Sequence, residues 1–480
     1  MDTNVYKKPS LWVAVLSVLF LFVVLFAQVL ATGSPEIHIT LVFSIAFCTV
    51  LLMATGTPWT AVEEGIMHGC KIATIPMMIL MFIGMLIPTL IACGTIPALI
   101  YYGLQIINPS VFLITAAVIC MISSLCTGSS WTTGGTFGVA LMGISIGLGV
   151  PLAMTAGAVV SGSVIGDKLS PLSDSTNLAA GVCETDLFAH IKSMLYTTVP
   201  AFIIALVVYG VLGAKYSADT IDTSSVDLIT SGIAANFNVS AGYTLLSLLP
   251  LVVIVGMAMK KISALAAMVA ASLVAMVIAI ITQGYGILEM MSFMNYGFSI
   301  DTGVDMVNSL LNRGGIQGMM WTLSLGYLGL SYGGILEKTR IMERLIDSMA
   351  TLTGNARNLI ITHIFSSIIV NFISASQYVA IIIPGRMFLP AYKKIGVRTD
   401  VASRTCEDAG TVTSPLVPWG LCGVFFAGTL GVSVLAYAPF AVLCYVTPLV
   451  AILYAVTGKF VWKEDGSKDV GNIIAEEEAK

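Results

Sequence analysis

The sequence has little charge, and the charge that it has is unevenly placed. Asp, Glu, Lys and Arg make up 10% of the 480 residues, whereas 57% are hydrophobic and the mean hydropathy is +0.94. Not one of these charged residues occurs between Ile72 and Gly166. A soluble domain would not tolerate such a stretch, whereas membrane spans of about 20 residues each account for it. The composition therefore predicts a polytopic membrane protein with the lipid bilayer as its environment.

Several kinds of site are missing as well. The nine cysteines show no CxxC spacing and the four histidines do not cluster, so neither a disulfide framework nor a zinc site is expected. No GxxxxGK[ST] motif occurs, which argues against ATP as the energy source. We expect no cofactor and no nucleic-acid partner. The apolar run Leu11 to Leu30 is too long for a signal peptide and is interpreted as a retained first span.

Hydropathy predicts eight uninterrupted spans and leaves two regions of a different kind. The spans are placed at 11–31, 38–55, 72–95, 190–213, 243–259, 262–283, 316–336 and 437–458. The remaining regions, 110–189 and 357–435, each read as two apolar arms that meet at a polar tip, followed by a long segment interrupted near its middle. A short amphipathic helix at the inner surface is predicted for Gly334 to Ser348.

These two regions match each other without a gap. Subtracting 247 from the second stretch, Ile373 to Pro418, overlays it on the first, Cys126 to Pro171. Ser376 then falls on Ser129, because 376 − 129 = 247. Interrupted hydrophobic segments at corresponding positions of two halves are the best sequence indication of a transporter's binding site.

The distribution of basic residues predicts that the two halves are inverted. If the N-terminus is cytoplasmic, the first hairpin starts outside at Tyr101 to Ser110 and returns there at Gly147 to Leu152, where charge is absent. Positive charge marks cytoplasmic loops, so the second hairpin starts inside. The basic residues beside it are Lys338, Arg340, Arg344, Arg357, Lys393, Lys394 and Arg398.

The other connectors follow the same pattern. Lys260-Lys261 falls inside, and the loops at Asp219 to Asp227 and Asp301 to Asp305 fall outside. The predicted fold is therefore an all-α polytopic membrane protein with two inverted repeats, each of about five spans plus a re-entrant hairpin. Helices are broken at the midplane and both termini lie in the cytoplasm of the cell membrane. The predicted divisions are 1–213 and 243–462 for the repeats, 214–242 for an external linker and 463–480 for a cytoplasmic tail.

The acidic residues at the two interruptions are the candidates for chemistry. An ionisable group inside the membrane is costly unless it is paired or functional, and Asp167 is the first charge after the neutral stretch. Asp174 has a similar position, with a helix N-cap as its structural alternative. Adjacent to each other in the second interruption are Glu407 and Asp408. Arg404 lies three residues before Glu407, and a pair between these two would leave Asp408 as the more available titrating group.

Each acid also has a structural interpretation. Asp167 is expected either to bind sodium and protons in turn or to pair with the neighbouring Lys168. Glu407 and Asp408 are expected either in the site or in a cytoplasmic cluster at a helix start. We hypothesise sodium at Asp167, Asp174 and Asp408.

Hydroxyl and amide groups surround these acids. Backbone that leaves a helix inside hydrocarbon must be buried in protein or line a wet cavity, and free oxygens there suit a small cation. Opposing helix N-termini suit an anion. At the tips, small residues also serve close helix packing, which is the alternative there. The candidates of this kind are Ser170, Ser173, Ser175, Thr176, Thr411, Thr413, Ser129, Ser130, Ser376 and Gln377.

A secondary transporter accounts for these features better than the other classes do. A GxGD-type intramembrane protease would need glycine at position 164, where the chain has Val164. An ion channel would share the polar interruptions but has no need of two inverted ones. We therefore expect a transporter and not an enzyme.

Two motifs resemble those of a known family. SGSVIGDKLSPLSDSTNLAA, from Ser161 to Ala180, and EDAGTVTSPLVPWG, from Glu407 to Gly420, are similar to the signatures of NhaC-type sodium/proton antiporters. The likeness extends over nearly the whole chain. It implies an ion-transporter-superfamily fold with elevator-like alternating access, and exchange of sodium for protons. Some members resemble sodium-malate/proton-lactate exchangers, so an organic anion is the alternative substrate. A homodimer is expected by analogy.

Overall fold

The computed structural model describes residues 6–32, 36–216, 223–350 and 354–464. Among these residues the secondary structure is helical, apart from an isolated β-bridge between Val397 and Lys463. The predicted helical class is therefore confirmed. The far end of the predicted tail, 465–480, lies outside the described residues.

The first part of the chain folds into ten helices. They are α1 (Leu11–Thr32), α2 (Ile37–Ala54), α3 (Trp59–Ala92), α4 (Thr95–Ile106), α5 (Phe112–Thr127), α6 (Ser130–Thr133), α7 (Val139–Gly147), α8 (Leu152–Leu169), α9 (Asp174–Val182) and α10 (Leu187–Gly213). A 3₁₀ turn, Pro109–Val111, precedes α5, and a π-helical turn, Gly134–Gly138, joins α6 to α7.

The second part contains fourteen further helices in the described ranges. They are α11 (Thr223–Asn236), α12 (Ala241–Ser247), α13 (Leu249–Met259), α14 (Ala264–Gln283), α15 (Ile287–Tyr296), α16 (Asp305–Leu311), α17 (Met320–Lys338), α18 (Ile341–Ala350), α19 (Ala356–Ser374), α20 (Gln377–Ile395), α21 (Thr399–Cys406), α22 (Leu421–Leu430), α23 (Val434–Tyr437) and α24 (Val442–Thr457). Between α21 and α22 lie a π-helical turn, Glu407–Thr411, and a 3₁₀ turn, Ser414–Leu416.

The outer helices present apolar side chains to the surroundings. In the described residues, eight helices are long and apolar enough to cross a membrane, and the number of candidate spans is ten if each of two bent pairs counts as one span. On α1 the side chains of Trp12, Phe26 and Leu30 are 77%, 67% and 86% exposed. Such exposure suits lipid and not water, so the polytopic membrane class is confirmed.

Two of the predicted boundaries are wrong. Helix α3 begins at Trp59 and not near 72. Its first turns carry Glu63, Glu64 and Lys71, which lower the hydropathy there, so the prediction missed the start of the helix. The predicted amphipathic helix at 334–348 starts too early, since α17 continues to Lys338 and the chain turns at Arg340, where φ is +61°. The amphipathic segment is α18. Helices α4, α11, α15 and α16 lie where no element was predicted.

The gap-free match between the two regions is also present in the backbone. At the first tip Gly128 has φ +66°, and at the second tip Ala375 has φ +58°. These positions differ by 247, as do the positive-φ pairs Gly149 and Gly396, and Glu184 and Gly431. Helix starts repeat with the same offset, for example Asp174 for α9 and Leu421 for α22.

The two hairpins enter from opposite ends of α10. At the start of α10, Glu184 Oε2 lies 2.5 Å from Lys393 Nζ, near the base of the second hairpin. At its other end, a Cβ on Gly213 would lie 2.4 Å from the carbonyl oxygen of Ser110, at the base of the first hairpin. A helix of 27 residues is about 40 Å long, so the two bases are far apart. The inversion of the complete halves, their domain limits and the cytoplasmic position of the termini stay predictions.

Candidate functional site

Both interruptions in the helices have a defined backbone. In the first, α8 ends at Leu169 and α9 begins at Asp174, with Ser173 as its N-cap residue. In the second, α21 passes through the π-helical turn Glu407–Thr411 before α22 begins at Leu421. Turns of this kind leave backbone and side-chain oxygens free of the regular helical pattern. The two interruptions and the two tips lie close together.

Asp167 joins the first interruption to the first tip. Its Oδ2 accepts hydrogen bonds from the backbone N of Ser130 at 3.1 Å and from the Ser130 hydroxyl at 2.7 Å. Ser173 and Asp174 are among its electrostatic neighbours. Asp167 is therefore held at the N-terminal end of α6 and is also a neighbour of the first interruption.

Lys168 turns away from Asp167 and crosses to the other half. Its Nζ donates a short hydrogen bond to Asp408 Oδ1, and both side chains are fully buried. Thr197 on α10 donates to the same oxygen at 2.9 Å. The alternative prediction, a pair of Asp167 with Lys168, is thus wrong, because Lys168 forms its ion pair with Asp408.

The expected pair between Arg404 and Glu407 is also wrong. The Nη1 of Arg404 donates to the backbone oxygen of Phe460 at 3.0 Å, and its Nε lies 3.9 Å from Asp408 Oδ2. Asp408 consequently faces two cations, and it is not the more available acid. Lys168 bonds Oδ1, whereas Oδ2 is buried without a hydrogen bond, so sodium at Asp408 stays a prediction.

Glu407 is a fully buried carboxylate with no hydrogen-bond partner on either oxygen. Its electrostatic neighbours include Lys168, Asp167 and the hydroxyls of Thr411 and Ser175, so it faces residues of both interruptions. A buried carboxylate is costly unless it is protonated or binds a cation.

Other buried oxygens near the second interruption are unpaired too. Asn371 donates from Nδ2 to the Gly410 backbone oxygen at 2.7 Å and to the Thr413 hydroxyl at 3.1 Å, which leaves its Oδ1 without a partner. Further oxygens without a hydrogen bond belong to Thr411, Ser414, Ser376 and Asp408, the last through Oδ2. These oxygens are hard ligands of the kind that Na⁺ prefers.

Several hydroxyls predicted as site members also form hydrogen bonds to nearby backbone or side-chain groups, and their role in ion binding stays a prediction. The Ser170 hydroxyl donates to the Leu125 carbonyl at 2.8 Å, and the Thr176 hydroxyl donates to the Lys168 carbonyl at 2.9 Å. Ser129 accepts from the backbone N of Thr132 at 3.2 Å. These residues hold the interruption and the tip in place, because the oxygens named have partners. The Thr413 hydroxyl likewise donates, at 2.5 Å, to the carbonyl of Ala409.

A cavity of 820 Å³ opens onto this region. Its lining brings together the predicted residues Ser129, Ser130, Asp167, Ser173, Asp174, Ser175 and Gln377. It also reaches Lys261 on the connector between α13 and α14, which the charge distribution places in the cytoplasm. Glu407 is not part of the lining and lies in the packed interior behind it. The site thus has an open part at the first tip and a closed part at the second interruption.

Sequence reasoning missed several residues of this region. Thr197 contacts Asp408 from α10, and no local pattern marks it. Tyr378 lines the cavity beside Gln377. Lys168 was noticed because it lies next to the first interruption, but the sequence suggested only its neighbour Asp167 as a partner.

The described residues show neither a transition-metal cluster nor a serine hydrolase site. They contain no group of three His, Cys, Asp or Glu residues that could hold a metal ion. The stretch Gly143 to Gly147 fits the GxSxG pattern of serine hydrolases. Ser145 is fully buried there, and its hydroxyl donates to the Val150 carbonyl at 2.8 Å, so it is a packing residue.

Comparison with known proteins identifies the family. The family model described as "Na+/H+ antiporter family" matches residues 162–459, which include both interruptions and the second tip. The chain belongs to the Na⁺/H⁺ antiporter family. The resemblance that its motifs carry is therefore confirmed.

Named relatives in this family have several substrates. The chain is 39% identical to the Na⁺/H⁺ antiporter NhaC of Alkalihalophilus pseudofirmus over 89% of this chain and 92% of that protein. It is 37% identical to the malate-2H⁺/Na⁺-lactate antiporter of Bacillus subtilis, over 95% and 96%. It is 35% identical to the arginine/ornithine antiporter ArcD of Halobacterium salinarum, over 97% and 95%. These relatives are antiporters, and they differ in the substrates that their names give.

Proposed function

We propose that the protein is a secondary antiporter that exchanges sodium for protons across the cytoplasmic membrane. The observation that carries this proposal is the Glu407 carboxylate, which is buried, unpaired and surrounded by hydroxyl and carboxylate oxygens of both interruptions. Membership of the Na⁺/H⁺ antiporter family supports it. Both termini are proposed to be cytoplasmic, and the protein is proposed to carry out no chemical reaction.

The exchange follows because sodium ions and protons compete for the same acids, so that the binding of one ion excludes the other. A sodium ion binds where Glu407 and Asp167 are both ionised and the neighbouring hydroxyls replace its water. A proton on either acid removes that negative charge, so the ion leaves. Lys168 forms an ion pair with Asp408, which leaves Glu407 and Asp167 as the acids for which the two ions compete. Alternating access of the cavity to the two sides then couples the two gradients.

Exchange coupled to an organic anion is the second candidate. One dehydrated sodium ion needs far less than the 820 Å³ of the cavity. The N-termini of α9 and α20 both lie at this cavity, and helix N-termini attract carboxylates. The malate-2H⁺/Na⁺-lactate antiporter among the relatives supports this version.

Reconstituted vesicles that contain a proton-sensitive dye test the proposal. Addition of sodium outside should drive protons in the opposite direction, and Asp167→Asn should abolish the movement while the protein remains folded. Asp227→Asn, on the exposed surface of α11, is the matched control and should exchange like the wild type. Undiminished exchange in Asp167→Asn would remove that residue from the mechanism.

The same vesicles separate the two candidates. Proton movement that sodium alone drives supports simple exchange. Movement that appears only when malate or lactate is present supports exchange coupled to an organic anion.

A further inference from the structure

A second cavity, of 630 Å³, adjoins the first. It lies between α9 and α20, the two helices that begin at the site. Asn177 lines both cavities, so the two are neighbours. The polar lining of the second cavity comes from Asn177 and Glu184 on one side and from Arg386 and Lys393 on the other. The second cavity forms a groove between α9 and α20 that is adjacent to the central cavity at Asn177.

Arg386 is the uncompensated charge of this groove. Lys393 is paired with Glu184 at 2.5 Å, whereas the Arg386 side chain is exposed in the groove. Within the described ranges of the chain, no hydrogen bond or ion pair forms with its guanidinium. It lies nine residues after Gln377, because 386 − 377 = 9, or about 14 Å along the helix. An unpaired guanidinium in a cavity is a candidate ligand for an anion, because it can donate two parallel hydrogen bonds.

The chemistry of the groove favours a small anion over a metal cation. A fixed positive charge raises the energy of any cation that passes it, and it lowers the energy of an anion. Guanidinium groups bind carboxylates through two parallel hydrogen bonds. Leu178, Val182 and Leu389 supply an apolar wall for a short hydrocarbon portion.

We infer that this groove is a vestibule that binds a small organic carboxylate through Arg386 and delivers it to the central cavity. The inference rests on the proposed function and specifies its substrate class. It assigns the carboxylate to the α9–α20 groove, and it leaves the sodium ion to the oxygens around Glu407 and Asp167. The two substrates then reach neighbouring sites of opposite charge, which makes their joint transport electrostatically favourable.

The test uses purified full-length protein, in detergent for binding and in vesicles for transport. Binding of radiolabelled lactate and malate is measured for the wild type, Arg386→Gln, Arg386→Lys and Lys394→Gln. Lys394 is an exposed neighbour that does not line the groove, so Lys394→Gln is the matched control. Loss of a charged hydrogen-bonding partner should raise the dissociation constant of the carboxylate by about tenfold or more. Arg386→Lys should lie between the wild type and Arg386→Gln, and Lys394→Gln should bind like the wild type.

The outcomes separate this inference from the proposed function. Equal carboxylate binding in Arg386→Gln and Lys394→Gln overturns the inference, whether or not the vesicles exchange sodium for protons. Weaker binding in Arg386→Gln alone supports it, even if the wild type moves no protons and the proposed function fails. An effect of Arg386→Gln that follows the phosphatidylglycerol content of the vesicles, and not the carboxylate concentration, shows a lipid headgroup in the groove and overturns the inference.

Discussion

At the residue scale, the central feature is the division of roles among the three acids of the candidate site. Asp408 is neutralised by Lys168 and supported by Thr197, and Asp167 is bonded to the first tip through Ser130. Glu407 has no such partner. The protein therefore compensates the charge of the three acids to different extents. In the proposed mechanism, Glu407 is the acid that depends most on a transported ion.

Replacing Glu407 tests this division directly. Glu407→Gln keeps the size of the side chain and removes its charge, so it should abolish sodium-driven proton movement without lowering the melting temperature in sodium-free buffer. Sodium should also lose its stabilising effect, because an ion that binds only the folded protein raises the melting temperature. Melting curves at increasing sodium concentration measure this effect.

Glu289→Gln serves as the matched control, since Glu289 is exposed on α15. It should keep both exchange and stabilisation by sodium. If Glu407→Gln were still stabilised by sodium as the wild type is, Glu407 would not be a ligand.

The Lys168–Asp408 pair gives a second prediction at this scale. Lys168→Met or Asp408→Leu alone leaves one buried charge without its partner, which should cost about 3–5 kcal/mol of unfolding free energy. The double variant removes both charges and should regain most of that loss. Denaturation in detergent measures the three variants, and purely additive losses would contradict a direct ionic contact.

The sequence predicted where the acids lie but not how they pair. Asp167, Glu407 and Asp408 stand out because charge is rare inside apolar sequence. Local spacing favoured partners three residues away or adjacent, whereas Lys168 and Asp408 are 240 residues apart. Contacts between the two halves depend on their packing, and no pattern within one helix shows that packing.

At the element scale, the close approach of α3 and α17 depends on glycine. A Cβ at Gly69 would lie 2.1 Å from the Leu330 carbonyl oxygen, and one at Gly65 would lie 2.6 Å from the Ile335 Cα. Small residues let membrane helices approach until their backbones touch. The sequence did not predict this contact, because the first turns of α3 carry charge and were left out of the span.

Substitution at this contact has a defined expected result. Gly69→Ala should lower the melting temperature and the yield of folded protein, since the obstruction is backbone that cannot move aside. Gly256→Ala on α13 is the control, because a Cβ there meets nothing within 4 Å. Alanine should leave stability unchanged or raise it slightly at that position. Equal behaviour of the two variants would mean that α3 and α17 are not in backbone contact.

At the scale of the whole molecule, the two hairpins enter from opposite ends of α10. The contact of Glu184 with Lys393 and that of Gly213 with Ser110 define the two ends. Composition was sufficient to predict a membrane protein, and the repeat offset located both tips. The orientation in the membrane rests on positive charge alone, since loops without charge carry no such signal.

Labelling of single cysteines tests that orientation. In a protein whose nine native cysteines are replaced, Lys394→Cys should react with a membrane-impermeant maleimide only from the cytoplasmic side. Asn108→Cys, beside the base of the first hairpin, should react only from outside. Reaction of both positions from the same side would exclude the inverted arrangement.

The most direct test of the account is sodium affinity as a function of pH. If protons and sodium compete for Glu407 and Asp167, the dissociation constant of radiolabelled sodium should rise as the pH falls, by up to about tenfold per pH unit for one competing proton. In Glu407→Gln this dependence should be lost together with tight binding. A wild-type affinity for sodium that stays constant across pH would contradict competition between the two ions and, with it, the proposed mechanism.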